Sequence, residues 1–238
     1  IRVAWFGSVR HRWKGIRHAA FFLGVWRHLR YADILYAQDP VSVGFPAYLA
    51  ALFRKKPFFL KVVGDYGWEQ WMNHESGIMN HEFVNVEKFQ NMRFRPLTEL
   101  RKKVERFVAR RARLIVVPSK YLKKIVLMWG VGEKKIKVIY NSFEMPDIAV
   151  SRDQARKKYG LQGRVIVSTG RLVPWKGFDT LIRTVADMSH AMPDIRLVIV
   201  GSGPEEQVLK YLAQELGVMN AHVFFTGGLP HGQVLEYF

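Results

Sequence analysis

The stretch RVIVSTGRLVPWKGFDTLI, Arg164 to Ile182, holds two structural periods with a break between them. Val165–Thr169 is a short β-branched run and reads as a buried strand. From Phe178 onward the apolar residues recur at helical spacing, predicting a helix over Phe178–His190. Between the two lies Gly170–Gly177, a loop built on Gly, Pro and Gly that carries Arg171 and Lys176. Strand, loop, helix is half of a parallel α/β repeat.

The same alternation extends in both directions. Upstream, strands are expected at Arg2–Phe6, Ile34–Ala37, Phe58–Val63, Leu114–Val117 and Ile136–Tyr140. Helices are expected at His18–Arg30, from about Val41 to Phe53, at Leu97–Arg113 and at Tyr121–Trp129, the last capped by Ser119. Downstream come strand Arg196–Val200, helix Pro204–Leu216, strand Val223–Thr226 and a helix beginning near His231. Residues 141–151, with Asn, Ser, Asp and Pro146, read as a linker. The fold class is therefore α/β, with two doubly wound parallel-sheet domains at 1–145 and 146–238. The second run has three strands where such sheets usually have about five or six, so both domains are expected to be incomplete.

Net charge separates the halves. Residues 1–150 carry 27 Lys and Arg against 12 Asp and Glu, a net of +15, whereas residues 151–238 carry 10 against 8, a net of +2. The first half is suited to an anionic partner such as lipid headgroups, nucleic acid or a phosphorylated substrate. Hydrophobic residues make up 49% of the chain, too many for a disordered one, and the absence of cysteine excludes disulfides and thiolate metal sites. The most apolar stretch, His18 to Trp26, is far shorter than the ~20 residues a membrane span needs.

Residues 66–96 read as an irregular aromatic loop with Asn-His-Glu at 73–75 and again at 80–82. His74, Glu75, His81 and Glu82 could bind a metal, but no His-Glu-x-x-His spacing supports that, and a solvated, partly helical lid is the plainer reading.

Ligands of open parallel sheets bind beyond the carboxyl ends of the strands. Gly170–Gly177 lies at such an end. Its glycines admit close approach, and the N–H groups of the following helix point back at the same place. Arg171 and Lys176 complete a diphosphate site, an arginine gripping two oxygens and a lysine acting as a point charge. The alternative is two exposed loop cations. Gly201-Ser202-Gly203-Pro204 is a second strand-end loop; its sixth position is Glu206, so it is not a dinucleotide fingerprint.

GRLVPWKGFDTLI, followed by IRLVIVGSGPE and VFFTGGL, resembles the family 4 retaining glycosyltransferases (glycosyl transferases group 1). ADILYAQDP, PFFLKVVGDYGWEQW, RLIVVPSKYLKKIV and KVIYNSFE resemble the acceptor-side domain of the same family. The resemblance implies two facing Rossmann-like domains, the GT-B fold. It implies hexosyl transfer from a nucleotide-diphosphate sugar, UDP- or GDP-linked, to a hydroxyl on a lipid-linked or saccharide acceptor, with no cofactor and no metal. It implies a role in cell-envelope polysaccharide biosynthesis, in the cytoplasm or at the inner face of the cytoplasmic membrane.

By the same resemblance Arg171 and Lys176 hold the leaving diphosphate, and Gly170, Gly201, Gly203, Thr226 and Gly227 line the donor. Asp39, Asp65, Glu69, Ser119 and Asn141 lie on the acceptor side, with Asp65 also catalytic. Ser119 has a plainer reading as a helix cap, and Asn141 as a turn residue. Two departures stand out. A histidine common in the family is replaced by Val63 and Gly64, leaving Asp65 as the nearest polar group, and the Glu-x7-Glu motif is absent, so an internal fragment without activity of its own is expected.

The helix Leu97–Arg113 carries Arg101, Lys102, Lys103, Arg106, Arg110, Arg111 and Arg113, with Leu97, Leu100, Val104, Phe107 and Val108 on another side. This could hold the protein on anionic lipid. Nucleic-acid binding is the rival that the charge alone favours, and no nucleic-acid motif supports it.

Overall fold

A computed structural model describes residues 14–74, 84–143 and 150–238. The chain divides into two compact units, 1–143 and 144–238. The expected strand Arg2–Phe6 and linker residue Pro146 lie outside the described residues, as do Glu75, His81, Glu82 and the side chain of His74.

Among the described residues of the first unit, α1 (Lys14–His28) comes first, followed by β1 (Leu35–Gln38), α2 (Gly44–Phe53) and β2 (Phe58–Lys61). Next come α3 (Tyr66–His74), α4 (Val86–Asn91), α5 (Pro96–Arg111), β3 (Leu114–Val117), α6 (Lys120–Met128) and β4 (Ile136–Val138). The strands pair in parallel in the order β1-β2-β3-β4. Leu60, Ile115, Val117, Ile125 and Trp129 are fully buried at the centre of its core. Strands covered on both faces need continuous apolar sequence, which Leu114–Val117 supplies.

In the second unit α7 (Arg152–Lys158) precedes β5 (Arg164–Thr169), α8 (Phe178–Ser189), β6 (Ile195–Val200), α9 (Glu206–Glu215), β7 (Val223–Gly227) and α10 (His231–Leu235). Its sheet is parallel, in the order β5-β6-β7. The middle strand, β6, is buried along almost its whole length. Among the described residues no helix is long and apolar enough to cross a membrane.

Three local expectations are corrected. Helix α2 starts at Gly44 rather than near Val41, because the Asp39 carboxylate takes the N–H groups of Val41 and Ser42 into a turn. Ser151 is not linker: it caps α7 in a capping box with Gln154. The described part of 66–96 is no solvated lid. Trp68, Met72, Phe89 and Gln90 are buried, and Phe94 stacks within 4.6 Å of Phe89 and 5.0 Å of Trp71.

Helix α5 keeps part of its amphipathic reading, with Val104 packed on the core and Lys103, Arg110 and Arg111 exposed, but Lys102 and the leucines are reversed. Lys102 is 4% exposed and Val108 is buried, whereas Leu97 and Leu100 are each 56% exposed and Phe107 is 40% exposed. The Lys102 ammonium donates to the carbonyls of Phe89 (3.2 Å) and Met92 (2.8 Å), filling otherwise unpaired acceptors around α4.

Candidate functional site

The loops that follow β5, β6 and β7 are joined to one another by main-chain hydrogen bonds. Gly170 N–H donates to Val200 O (3.0 Å), Leu172 N–H to Ser202 O (3.0 Å), Glu205 N–H to Leu172 O (3.1 Å) and Gly201 N–H to Gly227 O (2.9 Å). This lattice explains the Gly-Ser-Gly loop. A Cβ on Gly201 would lie 1.9 Å from the Gly170 carbonyl oxygen, and one on Gly203 would lie 2.2 Å from that of Leu172. The close approach these glycines allow is that of the neighbouring loop, not first of all that of a ligand.

Above the lattice opens a cavity of about 440 Å³. Gly170, Arg171, Gly201, Ser202 and Gly203 line it, together with Gly228, which the sequence reading did not name. Arg171 makes no hydrogen bond or ion pair with a described residue, so its guanidinium is available to an anion.

Other expected members fall elsewhere. Lys176 is exposed, in a 3-10 turn spanning Pro174–Lys176, and is not part of the lining; neither is the start of α8. Helix α10 lines the cavity through Val234, and α9 begins at Glu206, two residues past the lining residue Pro204. Thr226 and Gly227 belong to β7. The Thr226 hydroxyl donates to Ile199 O (3.4 Å) and Gly227 O (3.0 Å), and the sheet register jumps there, pairing Val200 with Gly227. Glu205, at the start of α9, is buried; burial first, then the Asp179 carboxylate, raises its pKa.

In the first unit Asp39, Asp65, Ser119 and Asn141 follow β1, β2, β3 and β4, so the parallel sheet sets all four at strand carboxyl ends. Their side chains are largely engaged. Asp39 has φ of +76° and holds the turn before α2, bonded also to the Ser42 hydroxyl. The Ser119 hydroxyl caps α6 through Leu122 N–H (3.0 Å). Asn141 accepts from Lys61 Nζ (3.3 Å), a lysine at the end of β2 that the sequence reading did not single out. Glu69 is half-buried in the first turn of α3.

Asp65 does not fit its expected catalytic role. It is 3% exposed, and its carboxylate accepts from Trp68 N–H (2.7 Å) and Gln90 Nε2 (2.7 Å). Glu105, fully buried on α5, lies against it and accepts the Tyr66 N–H (2.9 Å). Burial first, then the Asp65 charge, raises Glu105 well above the usual carboxylate range, and burial raises Asp65 as well. Both carboxyls serve the N-terminus of α3. Among the described residues no three His, Asp or Glu converge to hold a metal ion.

Comparison with known proteins matches both units. Residues 2–144 match the model of Glycosyltransferase Family 4, and residues 151–238 match Glycosyl transferases group 1. A GDP-mannose-dependent alpha-(1-6)-phosphatidylinositol monomannoside mannosyltransferase from Mycolicibacterium smegmatis is 46% identical over 81 residues, 34% of this chain and 21% of that protein. Two solved structures share the fold. HepE of Anabaena, in complex with UDP-glucose, is 19% identical with a TM-score of 0.66, covering 90% of this chain and 53% of that one. Sucrose-phosphate synthase from Thermosynechococcus elongatus is 19% identical with a TM-score of 0.67, covering 97% and 55%. The chain thus spans about half the length of these structures and a smaller share of the curated relative. With parallel α/β units of the GT-B class and a family model matched across most of its first 144 residues, the chain belongs to glycosyltransferase family 4.

Proposed function

We propose that the protein transfers a hexosyl group from a nucleotide-diphosphate sugar to a hydroxyl, with retention of anomeric configuration and without a metal ion. The observation that carries this reading is Arg171, without a partner among the described residues, at a strand-end cavity in a family 4 chain. The mannosyltransferase relative uses GDP-mannose, and HepE was solved with UDP-glucose, so the donor class is a UDP- or GDP-sugar.

In the reaction the bond from the anomeric carbon to the diphosphate oxygen breaks, and a bond to the acceptor oxygen forms on the same face. The acceptor proton passes to the departing diphosphate. Negative charge grows on that diphosphate as the sugar becomes oxocarbenium-like. Arg171, on the cavity lining, stabilises this charge more in the transition state than in the ground state. Lys176, whose ammonium has no partner among the described residues, is the second cation of this reading. The acceptor is a lipid-linked or saccharide hydroxyl, reached at the inner face of an anionic membrane.

Calorimetry with UDP and GDP tests the donor site. At least one should bind, and Arg171→Ala should weaken it by about 10–100-fold, the worth of a hydrogen bond to a charged group. Arg183→Ala, an exposed cation on α8, should leave binding unchanged. Failure of both nucleotides to bind rejects the reading, as does an Arg171→Ala protein that binds normally. Retention is read from the product's anomeric signal by NMR, and metal independence from turnover in EDTA.

A further inference from the structure

The outer face of α5 combines charge and apolar surface in a way the donor site does not explain. Lys102, Arg106 and Arg110 each turn a donor inward, to Phe89 O and Met92 O, to Gln90 O (3.2 Å) and to Trp129 O (2.7 Å). The helix's two carboxylates are withdrawn from the outer face, since Glu99 pairs with Lys102 at 3.3 Å and Glu105 is buried. What remains outside is a groove of about 360 Å³ lined by Lys103, Arg106, Phe107, Arg110 and Arg111.

Four of those five residues are cations. Lys103 and Arg111 make no ion pair with a described residue, and the Arg106 Nε is buried without a hydrogen-bond partner. The Arg111 guanidinium sits 5.0 Å from the centre of the Phe107 ring. Cations gathered this closely repel one another until an anion joins them. Exposed Leu97 and Leu100 continue the same face toward the start of the helix. Water gains nothing from three large apolar groups beside such a groove, whereas a bilayer interface takes up both the charges and the apolar groups.

We propose that this groove seats the phosphate of an anionic phospholipid, while Leu97, Leu100 and Phe107 enter the interface around it. The proposal rests on the reading of an enzyme that meets its acceptor at a membrane and deepens it by naming the docking surface. A soluble phosphate would engage the same cations but would have no use for the leucines.

Vesicle co-sedimentation tests this, using phosphatidylcholine with and without phosphatidylglycerol and no nucleotide sugar present. Binding should require phosphatidylglycerol. Lys103→Gln with Arg111→Gln should weaken it by about 30-fold, each basic residue near the surface contributing about fivefold. Lys134→Gln with Lys137→Gln removes the same charge from exposed positions elsewhere and should change binding little. Leu97→Ser with Leu100→Ser should also weaken it; these are better variants than one at Phe107, whose ring packs 5.7 Å from Tyr48.

Equal loss in the Lys134 and Lys137 variant would overturn the proposal in favour of diffuse charge attraction. Full competition by inorganic phosphate, with the leucine variant binding normally, would overturn it in favour of a soluble anion. UDP and GDP binding, measured on the same samples, separates the outcomes: a protein that binds nucleotide but not vesicles overturns only the docking surface.

Discussion

The strand-end loops of the two units are held by different groups. After β5, β6 and β7 the ties are main chain to main chain, as in Leu172 N–H to Ser202 O. After β1, β2 and β3 main-chain bonds such as Asp39 N–H to Lys61 O are joined by side-chain ties: Asp39 to Val41 N–H, Asp65 to Trp68 N–H, Ser119 to Leu122 N–H. A loop held by its backbone leaves its side chains free, and the Arg171 side chain has no partner among the described residues. A loop held by its carboxylates uses them up, and Asp65 is used. The same position in a parallel sheet can therefore supply a ligand group or a structural cap, and the loop's own hydrogen bonding decides which.

The sharpest way to break this comparison is to disturb the backbone lattice. Gly201 has φ of +148°, and an added Cβ would meet the Gly170 carbonyl. Gly201→Ala should destabilise the second unit by more than about 2 kcal/mol, since a strained backbone alone costs about 1–3 kcal/mol. It should also abolish UDP or GDP binding. Gly177 shares a positive φ, +70°, but has nothing within 4 Å of an added Cβ. Gly177→Ala should cost only about 1 kcal/mol, the backbone cost of the left-handed conformation. Urea midpoints measure both, and equal losses would mean that loop crossing is not what selects glycine at 201.

The next effect belongs to the buried carboxyl pair. Glu105→Ala strands the Tyr66 N–H and should cost about 1–3 kcal/mol. Asp65 and Glu105 hold their protons more tightly folded than unfolded, their ordinary values being 3.8 and 4.5. Their contribution is thus complete below those values and is lost as pH rises from them through the raised folded values. Glu105→Gln keeps an acceptor for Tyr66 N–H and a donor for Asp65 without a titrating proton. Its stability should match the parent's in acid and exceed it as pH rises. A parent and variant with parallel stability-pH curves would show that the Glu105 proton is not coupled to folding.

Much of this was legible in sequence because alternating strand and helix periods are tied directly to burial. Arg171 and its glycines could be placed by the strand-loop-helix break alone. Helix α7 could not, because RDQARKK has no apolar period; its one signal is the Ser151–Gln154 capping box. The burial of Lys102 and the exposure of Leu97 and Leu100 on α5 were missed because Lys and Arg count as outward residues in a binary pattern. Their long stems instead let the charge reach inward carbonyls while the helix exposes its leucines. Thr226 and Gly227 stood in for Gly228 at the cavity because the register jump in β7 leaves no mark in the residues themselves. Asp65 was misassigned because its partner Glu105 lies on another helix, beyond the reach of any local motif.

The smallest expected effect separates cap from ligand most cleanly. Ser119 stands at a strand end, as Arg171 does, but its hydroxyl is taken by Leu122 N–H. Ser119→Ala removes one helix cap and should lower stability by about 1 kcal/mol. Ser119→Asp restores an acceptor at the cap position and should recover most of that loss. Neither change should alter UDP or GDP affinity, whereas Arg171→Ala should alter affinity and leave the urea midpoint in place. A Ser119→Ala protein of parental stability, with its acceptor kinetics changed, would mean that the hydroxyl reaches substrate after all. The contrast between backbone-held and side-chain-held loops would then fail at β3 while standing at β1 and β2.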